Sequence, residues 1–167
     1  MGETISYMLK SASSQMTTAL ASNLRKAADY AKSLEVEESV LLAARLYPDM
    51  LPLTRQVQIA ADTLARGGAR LAGEEMPSFP DTETTIEQLI KRLQETDAFV
   101  QALDDDALNG NERSVLEIPL GPMTVQWEGR QYLSTFVLPN LHFHVSIAYA
   151  LMRHQGVKLG KRDFLMG

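Results

Sequence analysis

The sequence predicts an all-α bundle of four long helices, with one small β-hairpin between the third and the fourth. Three observations predict it. Apolar residues recur at three- and four-residue steps over four separate stretches. One short pair of alternating runs surrounds Pro119, Gly121 and Pro122. The composition, 45% hydrophobic and 22% charged over 167 residues, is that of a globular chain rather than a disordered, collagen-like or heptad-dominated one. Such a length corresponds to about one domain, so residues 1–167 are expected to form a single helical unit.

The first helix is predicted from Ile5 onward, where Leu9, Ala12, Met16, Ala19, Leu20, Leu24, Ala27, Ala31 and Leu34 form one stripe. A short piece with Val40, Leu41 and Leu46 is stopped by Pro48. The second long helix spans roughly Leu51 to Leu71 on Leu53, Val57, Ala60, Ala61 and Leu64, with Asp49 as its expected cap. Gly73 to Pro80 is a loop by composition. Thr84 and Glu87 have capping-box spacing ahead of the third helix, which carries Ile86, Leu89, Ile90, Leu93, Val100 and Leu103. Asp104 to Asp106 with Asn109, Gly110 and Asn111 break the pattern as a solvated loop, and Val115 to Trp127 form the hairpin. The fourth helix runs from Gln131 or Pro139 to Gln155 and stops at Gly156, before a tail with Lys158, Lys161 and Arg162.

The net charge of −5, without any Lys/Arg run, argues against a nucleic-acid partner. The absence of cysteine removes disulfides, thiolate metal sites and cysteine nucleophiles, and fits a cytoplasmic protein. Met1 to Leu20 lacks the basic and apolar regions of a signal peptide. Gln131 to Met152 holds no Asp, Glu, Lys or Arg and is long enough to span a bilayer. Its Gln131, Ser134, Thr135, Asn140, His142, His144 and Ser146 are too many polar groups to leave in hydrocarbon, so no membrane partner is expected. A helix buried in the centre of a bundle accounts for it better.

Nucleotide-binding and serine-hydrolase motifs are absent, and the Asp104 to Asp106 run lacks the alternating ligands of an EF-hand. A metal would have to come from His142, His144 and His154 plus carboxylates. On one helix His144 and His154 are separated by a rise of about 15 Å. His142 and His144 lie about 200° apart around it. One turn from His144 stand Asn140, Leu141, Ile147 and Ala148, none of them a carboxylate or imidazole. His144 lies beside the stripe of Leu141, Val145, Ala148 and Met152 and is expected to point inward, hydrogen-bonded as a neutral ring, with Asn140 as a partner one turn earlier. Its neighbour His142 shares a face with Ser146, Tyr149 and Arg153, and His154 suits a helix C-terminus.

Gln56, between Leu53, Val57 and Ala60, is expected to point partly into the bundle and to form a small polar pocket if it meets His144. The candidate pocket residues are His144, Asn140, Gln56, Arg55 and Asp49. A buried Arg55 would bind a carboxylate or phosphate, but its default is a solvated charge.

Four stretches carry a resemblance. They are ARLYPDMLPLTRQVQ from Ala44 to Gln58, DTETT from Asp81 to Thr85, LPNLHFH from Leu138 to His144, and AYALMRHQGVKLGKRDFL from Ala148 to Leu165. Together they resemble an uncharacterised family, a domain of unknown function within the DinB/YfiT-like superfamily of four-helix bundles. The resemblance implies an up-down-down-up bundle, often a homodimer, and brings no established substrate. Better-studied members of that superfamily hold zinc or nickel with three histidines, one on the second helix and two four residues apart on the fourth, and some are thiol-dependent transferases. This chain departs from both: its second helix offers Gln56 and Gln58, and Ala148 stands four residues after His144.

The function expected is therefore that of a dimeric small-molecule-binding protein with an interior polar pocket and no bound metal. Two alternatives are a zinc- or nickel-dependent transferase or hydrolase, and a helical dimer serving as an interaction protein.

Overall fold

A computed structural model describes residues 4–167. Met1 to Glu3, the first residues of the stretch weighed as a leader, lie outside the described residues. Four long helices dominate: α1 (Thr4–Ser33), α3 (Leu53–Ala72), α4 (Ile86–Ala102) and α7 (Leu138–His154). Shorter elements lie between and after them: α2 (Glu38–Leu42), α5 (Asp105–Gly110), β1 (Val115–Leu120), β2 (Met123–Glu128), α6 (Gly129–Tyr132) and α8 (Lys161–Met166). Among the described residues no helix is long and apolar enough to cross a membrane.

Cross-helix contacts fix the directions. Lys10 on α1 donates to the Leu103 carbonyl and Ser13 to Asp97, so α1 and α4 are antiparallel. Asn140 meets Thr63 and His144 meets Gln56, so α7 runs antiparallel to α3. Arg92 meets Asp62 while a Cβ on Gly68 would touch Leu103 and Val100, which makes α3 and α4 parallel. The result is the up-down-down-up bundle.

A parallel pair of helices requires a return connection. Helix α3, with 20 residues, is about 30 Å long, a distance that segment 73–85 could not return across as a helix at about 1.5 Å per residue but covers readily as non-helical chain. Gly73, with φ 72°, ends α3 in the left-handed conformation and sends the chain back, the Glu74 N–H reaching the Ala69 carbonyl at 2.8 Å. Asp81 and Glu83 at the far end of the return lie against α3 and α4.

The apolar stripes of the sequence become the core. Leu9, Met16, Leu20 and Leu24 face Val57, Ala61 and Leu64, Leu89, Leu93 and Val100, and Leu141, Val145, Ala148 and Met152. Gly67 lets α3 approach the helical turn just before α7 closely, since a Cβ there would stand 2.8 Å from Val137 Cγ1.

Three local expectations are corrected, and one alternative, the start of the last long helix at Gln131 or Pro139, is decided. Helix α3 begins after Pro52, whose ring suits a helix start, and Asp49 is exposed in the preceding turn without capping it. The capping box of α4 is Thr85 with Gln88, one residue beyond Thr84 and Glu87. The segment expected to be a solvated loop folds as α5. Asp104 accepts the Ala107 N–H at 2.7 Å, and Asp105 and Asp106 suit the positive end of a helix. From α5, Asn109 Oδ1 accepts the Ile5 and Ser6 N–H groups, both at 3.1 Å, at the start of α1. Finally, α6 and α7 form one continuous helical run through a π-helical turn at Leu133–Val137. Pro139 offers no N–H to the Thr135 carbonyl, and the helix widens there.

Candidate functional site

Gln56 on α3 and His144 on α7 meet in the interior. The Nδ1–H of His144 donates to Gln56 Oε1 at 2.7 Å, and Gln56 Nε2 donates to the Leu51 carbonyl at 3.1 Å. The amide oxygen can only accept, so the tautomer follows: the proton sits on Nδ1 and Nε2 keeps its lone pair. Burial pushes the His144 imidazolium pKa below the usual histidine value, so the ring is neutral near pH 7. Phe143 packs edge-on against it, ring centroids 5.1 Å apart.

Asn140, one turn before His144, does not bond to it. Its Nδ2 donates to Thr63 Oγ1 at 2.8 Å instead. The two helices thus carry two stacked polar pairs, Gln56 with His144 and Thr63 with Asn140, both positioned by the antiparallel packing of α3 on α7.

Beside the second pair lies a cavity of about 330 Å³ between α3, α7 and the hairpin. Its polar lining is Arg55, Asp62, Thr63, Arg66, Arg70, Asp81 and Asn140, and its apolar walls are Ile59, Ile118, Pro119, Tyr132 and Phe136. The π-helical turn and α6 present Phe136 and Tyr132, stacked 5.8 Å apart. The strand pairing Ile118↔Val125 sets the register in which Ile118 is buried against the bundle.

An ion network centred on the buried Arg92 forms one margin of this cavity. Arg92 on α4 is 2% exposed. It donates to Asp62 at 2.5 Å and Glu83 at 2.8 Å, and lies 3.1 Å from Asp81. Arg55 pairs with Asp81 and donates to Gln58 Oε1 at 2.7 Å, while Gln58 Nε2 donates to Glu83 at 2.7 Å. Burial disfavours the Asp81 carboxylate, yet the hydrogen bond and charge of Arg55, with those of Arg92, hold its pKa below the ordinary value. Glu83 follows the same balance: burial opposes its charge, and the hydrogen bonds from Arg92 and Gln58 prevail. Desolvation works against the Arg92 cation as well, but Glu83 and Asp62 more than compensate and raise its pKa.

Of the five residues expected to form the pocket, the structure joins Gln56 to His144 and places Arg55 and Asn140 on the cavity lining. Asp49 stands apart from both. Arg55 is a paired arginine rather than a solvated one. Sequence reasoning misses Arg92, Asp62, Glu83, Arg70 and Tyr132. The available signal is the position of Arg92, which falls on the stripe of Leu89, Leu93, Thr96 and Val100 and so must be buried with partners. His142 donates its Nδ1–H to the Leu138 carbonyl of its own helix at 2.6 Å, and His154 is exposed. Among the described residues no three His, Asp or Glu side chains gather as a metal-ligating group.

A family model described as a domain of unknown function, DUF1993, matches residues 8–165. The crystal structure of a DinB family member protein from Shewanella denitrificans superposes with a TM-score of 0.89 at 30% identity, covering 100% of this chain and 97% of that one. None of the curated proteins matches.

Proposed function

Because this chain belongs to the DUF1993 family of DinB-like helical bundles, we propose that it binds a small molecule in the cavity between α3, α7 and the hairpin, and does so without a metal. One observation carries this reading: on the lining of one cavity, cationic and hydrogen-bonding groups (Arg55, Arg70, Thr63, Asn140) converge between apolar walls (Ile59, Ile118, Phe136). Such a combination of apolar lining with few convergent polar groups is what orients a small ligand. The Gln56–His144 pair, one turn away, braces the two helices that form its sides.

The superfamily's zinc or nickel does not fit the donor set. Gln56 Oε1 is engaged by the imidazole N–H, and Asn140, one turn before His144, offers only a neutral amide. Among the described residues no three His, Asp or Glu side chains gather there, so one imidazole lacks the further nitrogen, sulfur or carboxylate donors that either metal takes. No step is assigned to a metal. A homodimer belongs to the same proposal, and sedimentation at micromolar concentration tests it: a clean monomer removes it.

The test is a thermal-shift screen of metabolites, with metal analysis of untagged protein. A true ligand raises Tm in the wild type, because binding to the native state stabilises it. In Ile59→Trp, which fills the cavity, the same compound raises Tm no further. Equal shifts in both proteins, or stoichiometric zinc or nickel, contradict the reading.

A further inference from the structure

We propose that the cavity takes a small organic carboxylate, its anionic head held by Arg70 and Arg66 and its apolar body lying against Phe136 and Ile118. This deepens the small-molecule reading above and rests on it.

Arg70 is half-buried on α3, and among the described residues its guanidinium has no carboxylate partner. Its contacts are with Tyr132: Nη1 donates to the phenol oxygen at 3.3 Å, and the guanidinium carbon lies 5.8 Å from the ring centroid. Every other guanidinium at this site has an acid. Arg55 holds Asp81, and Arg92 holds Asp62 and Glu83. Arg66, one turn before Arg70 on the same face, has only a 3.6 Å contact with Asp62, which Arg92 already occupies. Four guanidinium groups therefore face three carboxylates, Asp62, Asp81 and Glu83. One positive charge is left over, and it lies at Arg70 and Arg66.

That balance selects the head group. A carboxylate supplies one negative charge and matches the planar fork of arginine. A phosphate monoester carries about −1.5 to −2 at pH 7 and overfills the site. Thr63 adds a donor, since its oxygen already accepts from Asn140 and its own proton is free for a ligand. The volume of about 330 Å³ lies at the low end for ligand pockets, which limits the body to one ring or a short alkyl chain.

The experiment titrates ¹⁵N-labelled protein with a matched series: 3-phenylpropionate and octanoate, the corresponding neutral amides, and 2-phenylethyl phosphate. The expected result is shifts at Ile118, Tyr132 and Asn140 with the carboxylates binding tightest. Arg70→Gln is expected to weaken the acids by at least about tenfold without weakening the amides, since a charge-assisted hydrogen bond is lost. Arg25→Gln, on α1, leaves all affinities unchanged. Amides binding as tightly as acids, or Arg70→Gln without effect, overturn the carboxylate assignment and leave the pocket reading standing. Tighter binding of the phosphate overturns it in favour of a phosphate ester. Silence of the whole series at the cavity overturns this proposal, and a metabolite that still binds there in the thermal-shift screen separates that outcome from failure of the pocket reading.

Discussion

His144 Nδ1 lies 2.7 Å from Gln56 Oε1, on a helix 88 residues away in sequence, and this one contact fixes the imidazole's tautomer. Replacing Gln56 by Leu strands a buried N–H donor. The expected cost is about 1–3 kcal/mol of unfolding free energy in urea, the penalty of an unsatisfied buried group. In the double variant Gln56→Leu/His144→Phe part of that loss returns, because no donor remains. The imidazole nitrogen shifts of wild-type protein are expected to report the Nδ1–H form. A ring found mainly as Nε2–H contradicts the assignment.

The same histidine sets a pH dependence. Its folded pKa is depressed by burial, so below about 6.5, the ordinary histidine value, the unfolded chain takes up the proton before the folded one does. Stability contributed by the neutral buried ring is full above that pH and declines as pH falls toward the folded pKa. Denaturation midpoints at pH 7.5, 6.5 and 5.5 are expected to fall in the wild type and to fall less in His144→Gln. Parallel decline in both proteins refutes it.

Arg92 is expected to be the most sensitive charged position. Arg92→Ala leaves Asp62 and Glu83 without their buried counter-charge, and loss of one partner from such a group costs about 3–5 kcal/mol. Arg55→Ala breaks a pair whose side chains are 38% and 40% exposed, and the expected cost is below about 1 kcal/mol. Asp81 and Glu83 have depressed pKa values, so the network's contribution is complete above about pH 4.5 and is lost as pH falls below it. Urea titrations of the two variants check the order; equal costs contradict it.

Thr96 is buried on α4, and its hydroxyl has no hydrogen-bond partner among the described residues. Thr96→Val preserves shape and removes the unsatisfied group. It is expected to raise stability by about 1 kcal/mol in chemical denaturation, and a loss of comparable size contradicts that.

Much of this fold is legible in the sequence because helices declare themselves locally. The three- and four-residue steps locate α1, α3, α4 and α7 without any knowledge of partners. Gln56 and His144 are legible for the same reason, each lying beside an apolar stripe that sets its direction. Legibility ends where a residue's role depends on chain far away in sequence. Arg92 is tied to Asp62 on another helix and to Asp81 and Glu83 on the return segment, and only the parallel placement of α3 and α4 brings them together. Asn140 turns to Thr63 rather than to its own helix because α3 offers a hydroxyl at hydrogen-bond distance. Asp49 has the right chemistry for a cap, but Pro52 moves the helix start beyond its reach.

The most direct measurement is the set of nuclear Overhauser contacts between a bound ligand, once the thermal-shift screen supplies one, and the protein's methyl and aromatic protons. The expected contacts are to Ile59, Ile118, Tyr132 and Phe136 together, the walls of one cavity. Contacts confined to another face of the bundle would contradict it.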